Sequence, residues 1–182
     1  MSIKSYWQSA SKEIKNVKSL TGTAMLSALN PVLDMMTITI NQFLYISFSS
    51  LALAVCGFLY GPVLSGISAV FVDVLKYMVH PKGPFFIGFT FNEFLIGLIF
   101  GLFFYKKKIT LKRVIVAKAT LVLVINFFFT PLWLSIMYGQ AFKIMVAARL
   151  IKNAILFPVD VAVLYGLLKF TETNIKKIRK DS

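Results

Sequence analysis

Six apolar stretches take up most of this sequence: roughly Leu20 to Met36, Phe43 to Tyr60, Pro62 to Val79, Phe86 to Tyr105, Val114 to Leu134 and Phe142 to Leu168. About 20 residues of helix cross a bilayer, so each stretch is close to the length of one span. Hydrophobic residues make up 58% of the 182-residue chain, including 18 Phe, well above the roughly 45–50% of soluble domains. A water-soluble globule is excluded, and the expected fold is an all-α, integral membrane bundle of six transmembrane helices. Only Tyr60, Gly61 and Pro62 separate the second and third stretches, and proline is tolerated in a first helical turn, so these two form a tight helical hairpin.

Charge placement orients the bundle. Lysine and arginine number 20 against 7 acidic residues, a net +13 that in a soluble chain would point to nucleic acid. The cations gather instead in three places: Lys4, Lys12, Lys15 and Lys18; Lys106, Lys107, Lys108, Lys112 and Arg113; and Lys169, Lys176, Lys177, Arg179 and Lys180. With six crossings all three lie on one side of the bilayer, and the positive-inside rule makes that side the cytoplasm. Both termini are therefore expected in the cytoplasm of a multi-pass cell-membrane protein, with the loops at about 37 to 47, 80 to 87 and 134 to 143 outside. Nucleic acid is not an expected partner; the bilayer is.

Residues 1–182 read as one transmembrane domain, with 1–19 an interfacial cytoplasmic segment, 20–170 the six-helix bundle and 171–182 a basic cytoplasmic tail. In the first segment Ile3, Trp7, Ala10, Ile14 and Val17 recur at helical spacing between lysines, the pattern of a helix lying in the membrane interface. It lacks the layout of a cleaved secretory signal, so the mature chain is expected to keep it. The lone Cys56 forms no intrachain disulfide and no cysteine metal site.

No run of glycines leads into Gly-Lys-Ser/Thr, so the chain has no phosphate-cradling loop, and any ATP-driven step belongs to another subunit or to an ion gradient. Gly66-Ile67-Ser68-Ala69 superficially resembles a nucleophile element. The single histidine, His80, would lie roughly 18 Å along the same helix, out of reach of Ser68, and reads as a loop or interface residue. With no HExxH and no acidic metal cluster, no catalytic, cofactor or metal residue is expected.

Ionised groups inside a span cost a few kcal/mol unless paired or wet, which singles out Asp34, Asp73, Lys76, Glu93, Lys118, Arg149, Lys152 and Asp160. Lys118 lies close enough to the interface to snorkel, and Asp160 suits a structural pair as well as a function. The others sit toward the outer ends of their helices, where with Asn41, Gln42, Phe85, Phe89, Trp133 and Tyr138 they could line one pocket. Asp73 and Lys76, three apart, could equally pair with each other. Arg149 and Lys152 suit an anion or lipid headgroups, and Trp133 a stacked ring or the aromatic belt. Three small-xxx-small patterns, Ala24 to Ala28, Gly57 to Gly61 and Gly97 to Gly101, allow close helix approach. The glycine pairs suit internal packing, and the alanine pair suits docking of another subunit.

Several of these stretches carry a resemblance: Ala24 to Ala28; Phe58 to Pro62; Asp73 through Pro81-Lys82-Gly83-Pro84-Phe85-Phe86-Ile87-Gly88-Phe89-Thr90; Gly97 to Leu102; Leu132 to Gly139; and Arg149 to Asn153 followed by Pro158. Across nearly the whole chain the sequence resembles the substrate-binding S components of energy-coupling factor (ECF) vitamin transporters, most closely the folate type. The resemblance implies a non-enzymatic subunit that captures a vitamin from outside. It also implies docking on a transmembrane coupling subunit through the Ala24 and Ala28 face, and toppling as two cytosolic ATPases turn over. For folate it implies an aromatic face from Trp133 with Phe85 or Phe89, Asp73 or Asn92 for the donor edge of the pterin, Arg149 with Lys152 for the glutamate tail, and Tyr138 beside them. Tyr45 departs from the folate-type pattern, which has arginine there, and leaves another vitamin such as pantothenate as the alternative ligand. A small intramembrane enzyme and a channel-like structural protein are the readings from other classes.

Overall fold

Every apolar stretch becomes helix over most of its length. The structure, a computed structural model, describes residues 3–35, 38–41, 44–46, 49–79, 84–139 and 142–181. In chain order these form α1 (Ile3–Lys15), α2 (Val17–Met35), β1 (Ile38–Asn41), β2 (Leu44–Ile46), α3 (Ser49–Val79), α4 (Ile87–Phe104), α5 (Leu111–Leu121), a π-helical stretch (Val122–Phe129), α6 (Thr130–Tyr138) and α7 (Phe142–Asp181).

α3 holds the expected hairpin. Gly61 adopts φ +86° and ψ 178°, a conformation open to glycine and costly for any side chain, and Pro62 starts the second limb. The limbs run back to back: Ser65 Oγ donates to the Leu53 carbonyl at 3.4 Å and Lys76 Nζ to Ser49 Oγ at 3.4 Å. In a straight helix Ser49 and Lys76 would be roughly 40 Å apart. Among the described residues four segments, 49–79, 87–104, 111–138 and 153–177, are long and apolar enough to cross a membrane. The first of them crosses twice, and α2 adds the sixth helix of the bundle.

The two glycine pairs pack α3 against α4. A Cβ added at Gly97 would sit 2.5 Å from the Ser65 carbonyl oxygen, one at Gly57 2.8 Å from the Gly101 nitrogen, and one at Gly101 2.2 Å from Pro62 Cα. The backbones touch where side chains would hold them apart. Beside this seam Phe100, Phe104, Val114, Ala117, Leu164 and Leu168 form the core that joins α4, α5 and α7.

Four expectations change in detail. The second span starts at Ser49 rather than Phe43, because Ile38–Asn41 and Leu44–Ile46 pair as a short antiparallel hairpin. The alternation Ile38-Thr39-Ile40 is a strand pattern. The sixth span and the basic tail are one 40-residue helix, α7, continuous through Pro158. Lys118 does not snorkel; its Nζ lies 2.8 Å from Asp160 Oδ2 and ties α5 to α7. Finally, the apolar stripe of the N-terminal segment is divided, with Ala10 of α1 packed into the bundle while Trp7, and Val17 at the start of α2, stay exposed.

Candidate functional site

The end of the bundle opposite the lysine-rich link Lys106–Lys108 collects most of the polar side chains singled out above. α4 divides them between its two flanks. Toward α3, Thr90 Oγ1 donates to Asp73 Oδ2 at 2.7 Å, and Lys76 Nζ lies 3.8 Å from Glu93 Oε1. Asp73 and Lys76 therefore each pair with α4 rather than with each other.

Toward α6, Asn92 is the node. Its Nδ2 donates to Thr130 Oγ1 at 3.2 Å and its Oδ1 accepts from Trp133 Nε1 at 3.1 Å, which fixes the orientation of both the amide and the indole. Asn92 and Thr130 are buried. In a low-dielectric interior such a satisfied chain of donors and acceptors is stiff. Trp133 stacks on Phe129 at 5.8 Å and 22°, and Phe86 tilts against it at 5.7 Å. Gly88 makes room for this: a Cβ there would lie 2.7 Å from the indole and 2.5 Å from the Phe86 ring. Phe89 sits edge-on to Phe86 at 6.0 Å.

The remaining candidates lie around this wall. Phe85 is exposed and meets Tyr77 edge-on at 5.1 Å, and Tyr138 is exposed at the end of α6. Arg149 is half-buried on α7, where Asn153 Nδ2 donates to its carbonyl and Asn153 Oδ1 accepts from Asn126 Nδ2 at 2.8 Å. The Lys152 and Tyr45 side chains, the Asn41 side chain, Gln42, His80 and the run Pro81 to Gly83 lie outside the described residues. Among the described residues Asn30, buried on the inner face of α2 one turn before Asp34, is the one whose buried side-chain oxygen has no hydrogen-bond partner.

Sequence reasoning missed Thr130, Phe86 and Phe129 as parts of the wall. Thr130 could have been found as a hydroxyl inside an otherwise apolar run, three residues before Trp133. The alanine pair behaves differently from the glycine pairs. Ala24 and Ala28 are exposed on α2, flanked by exposed Leu20, Met25, Leu29, Val32 and Met35.

The geometry is that of a membrane-embedded binding subunit: an aromatic and amide wall at one end, and an apolar small-residue face on one helix. Its likenesses agree. The chain is 39% identical over 127 residues to the folate transporter FolT of Clostridium novyi (strain NT), covering 70% of this chain and 74% of the relative. It is 32% identical over 168 residues to the folate transporter FolT of Streptococcus mutans serotype c, covering 88% and 90%. A crystal structure of FolT bound with folic acid superposes with a TM-score of 0.76 at 39% identity, covering 84% of this chain and 93% of that one. Residues 18–168 match the family described as ECF transporter, substrate-specific component. The chain therefore belongs to the substrate-specific components of ECF transporters, a family of membrane transport subunits and not of enzymes.

Proposed function

We propose that this chain is the folate-binding subunit of an ATP-driven ECF importer, and that it works with a separate transmembrane coupling subunit and two ATPases. The relatives named above are folate transporters, and the observation that carries the reading here is the Trp133–Asn92–Thr130 chain walled by Phe86 and Phe129. A pterin offers a flat aromatic face and an edge rich in hydrogen-bond donors. The locked indole, with Phe86 tilted against it and Phe89 edge-on to Phe86, supplies a face to stack on, while Phe85 lies against Tyr77. Asp73 or Asn92 supplies an acceptor for the donor edge, and Arg149 with Lys152 supplies positive charge for the glutamate carboxylates. Tyr138 stands at the rim.

Charge placement supports an orientation with both termini in the cytoplasm and this site facing out. The division into an interfacial N-terminal segment, a bundle and a basic tail belongs to the same reading. Ala24 and Ala28, exposed among apolar neighbours, supply the docking face for the coupling subunit.

The test is purification in detergent from cells supplied with several vitamins, followed by identification of what is bound. Stoichiometric folate supports the reading. Another vitamin, such as pantothenate, in its place rejects the ligand assignment, and no bound vitamin with no titratable affinity rejects the binding role. A reporter map placing either terminus outside would reject the orientation.

A further inference from the structure

At the basic end one carboxylate joins three elements. Tyr105, the residue that ends α4, donates its hydroxyl to Glu13 Oε1 at 2.8 Å, and Ser19, in the first turn of α2, donates to Glu13 Oε2 at 2.5 Å. Glu13 itself lies on α1. A second contact doubles the attachment: Tyr6 of α1 donates to the Gly101 carbonyl at 2.8 Å and meets the Tyr105 ring edge-on at 5.7 Å. Lys106 and Lys107 lie over the Tyr105 and Tyr6 rings at 5.2 and 5.6 Å. The Tyr105 ring, 1% exposed, also packs on the α3 turn, where a Cβ on Gly61 would lie 3.3 Å from it.

The choice of partners is informative. Nine cations surround this end in the sequence, Lys4, Lys12, Lys15, Lys18, Lys106, Lys107, Lys108, Lys112 and Arg113. Among the described residues Glu13 instead takes two hydroxyls. An exposed lysine pair would be weak and mobile. Two short hydroxyl bonds to a carboxylate, from side chains anchored on different helices, fix position.

α4 carries Thr90, Asn92 and Glu93 at its far end and Gly101 and Tyr105 at this one, while α2 carries the exposed alanine face. We propose that Glu13 is a positioning residue for transport: it ties the docking helix α2 to the pocket helix α4, so that the alanine face is held in register with the helix that lines the site. This rests on the docking face proposed above. While the tie holds, movement of α2 on a partner is movement of α4 as well.

The experiment uses the full chain with its coupling subunit and ATPases in proteoliposomes, and the isolated chain in detergent for folate titration and melting. Tyr105→Phe removes one oxygen and leaves the ring against Gly61, so it guards against misfolding of Glu13→Ala. Each is expected to lower ATP-driven uptake roughly tenfold, the size of one lost charge-assisted hydrogen bond, with folate affinity within about twofold of the parent. The double variant should be no worse than Glu13→Ala, because both changes break the same tie. Unchanged uptake in either single variant, additive losses in the double, or a loss of folate affinity that matches the loss of uptake overturns the proposal. Ala24→Trp in the same preparation separates the two readings. If it leaves assembly and uptake intact, the docking face itself is rejected; if it abolishes uptake while Glu13→Ala does not, only the tie is rejected.

Discussion

The two ends of this bundle are built on opposite plans. At the basic end Ser19 and Tyr105 both donate to Glu13, Tyr6 donates to the Gly101 carbonyl, and the backbones of α3 and α4 touch at Gly101 and Pro62. At the other end the polar groups form a wall rather than a closed cluster, Lys76 and Glu93 are 3.8 Å apart, and Phe85, Ile87 and Tyr138 stand exposed. One end is complete without a ligand. The other presents rings and acceptors that a ligand can complete, which is where binding free energy can be turned into order. Substitutions at the closed end should therefore cost folded protein or transport, and substitutions at the open end should cost affinity.

The largest effect expected is on the closed end. Gly101→Leu drives a side chain into Pro62, whose Cα would lie 2.2 Å from the new Cβ, and overpacking of this kind costs about 1–3 kcal/mol or more. Little protein should survive detergent extraction and a melting scan; a normal melting temperature would show that the helix seam is looser than described. Arg149→Gln comes next. Loss of one charge-assisted contact, about 1.5–3 kcal/mol, should weaken folate roughly 10- to 150-fold. An analogue without the glutamate carboxylates should be nearly indifferent to the change, and equal losses for both ligands would move the arginine into the scaffold.

Trp133→Phe keeps a ring but removes the donor to Asn92 Oδ1, at a cost of about 1–2 kcal/mol, so folate titration should show about a 5- to 30-fold loss. If affinity is unchanged, the wall is not the site. The smallest effect expected is from Asn30→Leu. Its buried oxygen has no partner, so an apolar side chain of similar size should leave stability equal or raise it by up to about 1 kcal/mol in a melting scan. A clear loss of folate affinity in this variant would instead extend the open wall onto α2.

Much of the fold could be read from length and punctuation. Continuous apolar runs marked the spans, and Gly61-Pro62 marked the fold-back, because few residue pairs can reverse a helix so abruptly. The β1–β2 hairpin escaped notice since Phe43 to Ile46 are apolar enough to extend the next span, and their period of two is short. For the site, local spacing misled. Asp73 and Lys76 are neighbours on one helix face, yet each finds its partner on α4, a contact that no local pattern encodes. Lys118 and Asp160 are likewise joined only by the packing of α5 on α7. Asn92 and Trp133 were each legible as candidates, but the hydrogen bond that makes them one unit spans 41 residues and required the fold. The exposure of the alanine pair, against the burial of both glycine pairs, was also decided by which helices occupy the periphery.

The π-helical stretch Val122–Phe129 has a consequence for how this chain tolerates change in length. A π turn holds one residue more than an α turn, and each α-helical residue advances the helix by about 100°. The extra residues therefore act as a phase setting between two parts of one rod, with Lys118 aimed at Asp160 below and Trp133 aimed at Asn92 above. A single deletion inside the stretch could be absorbed by tightening it to α, leaving the span intact, but it would swing one part relative to the other. Insertions and deletions that a hydropathy profile would pass as silent would thus unlock the indole while the span remained a span.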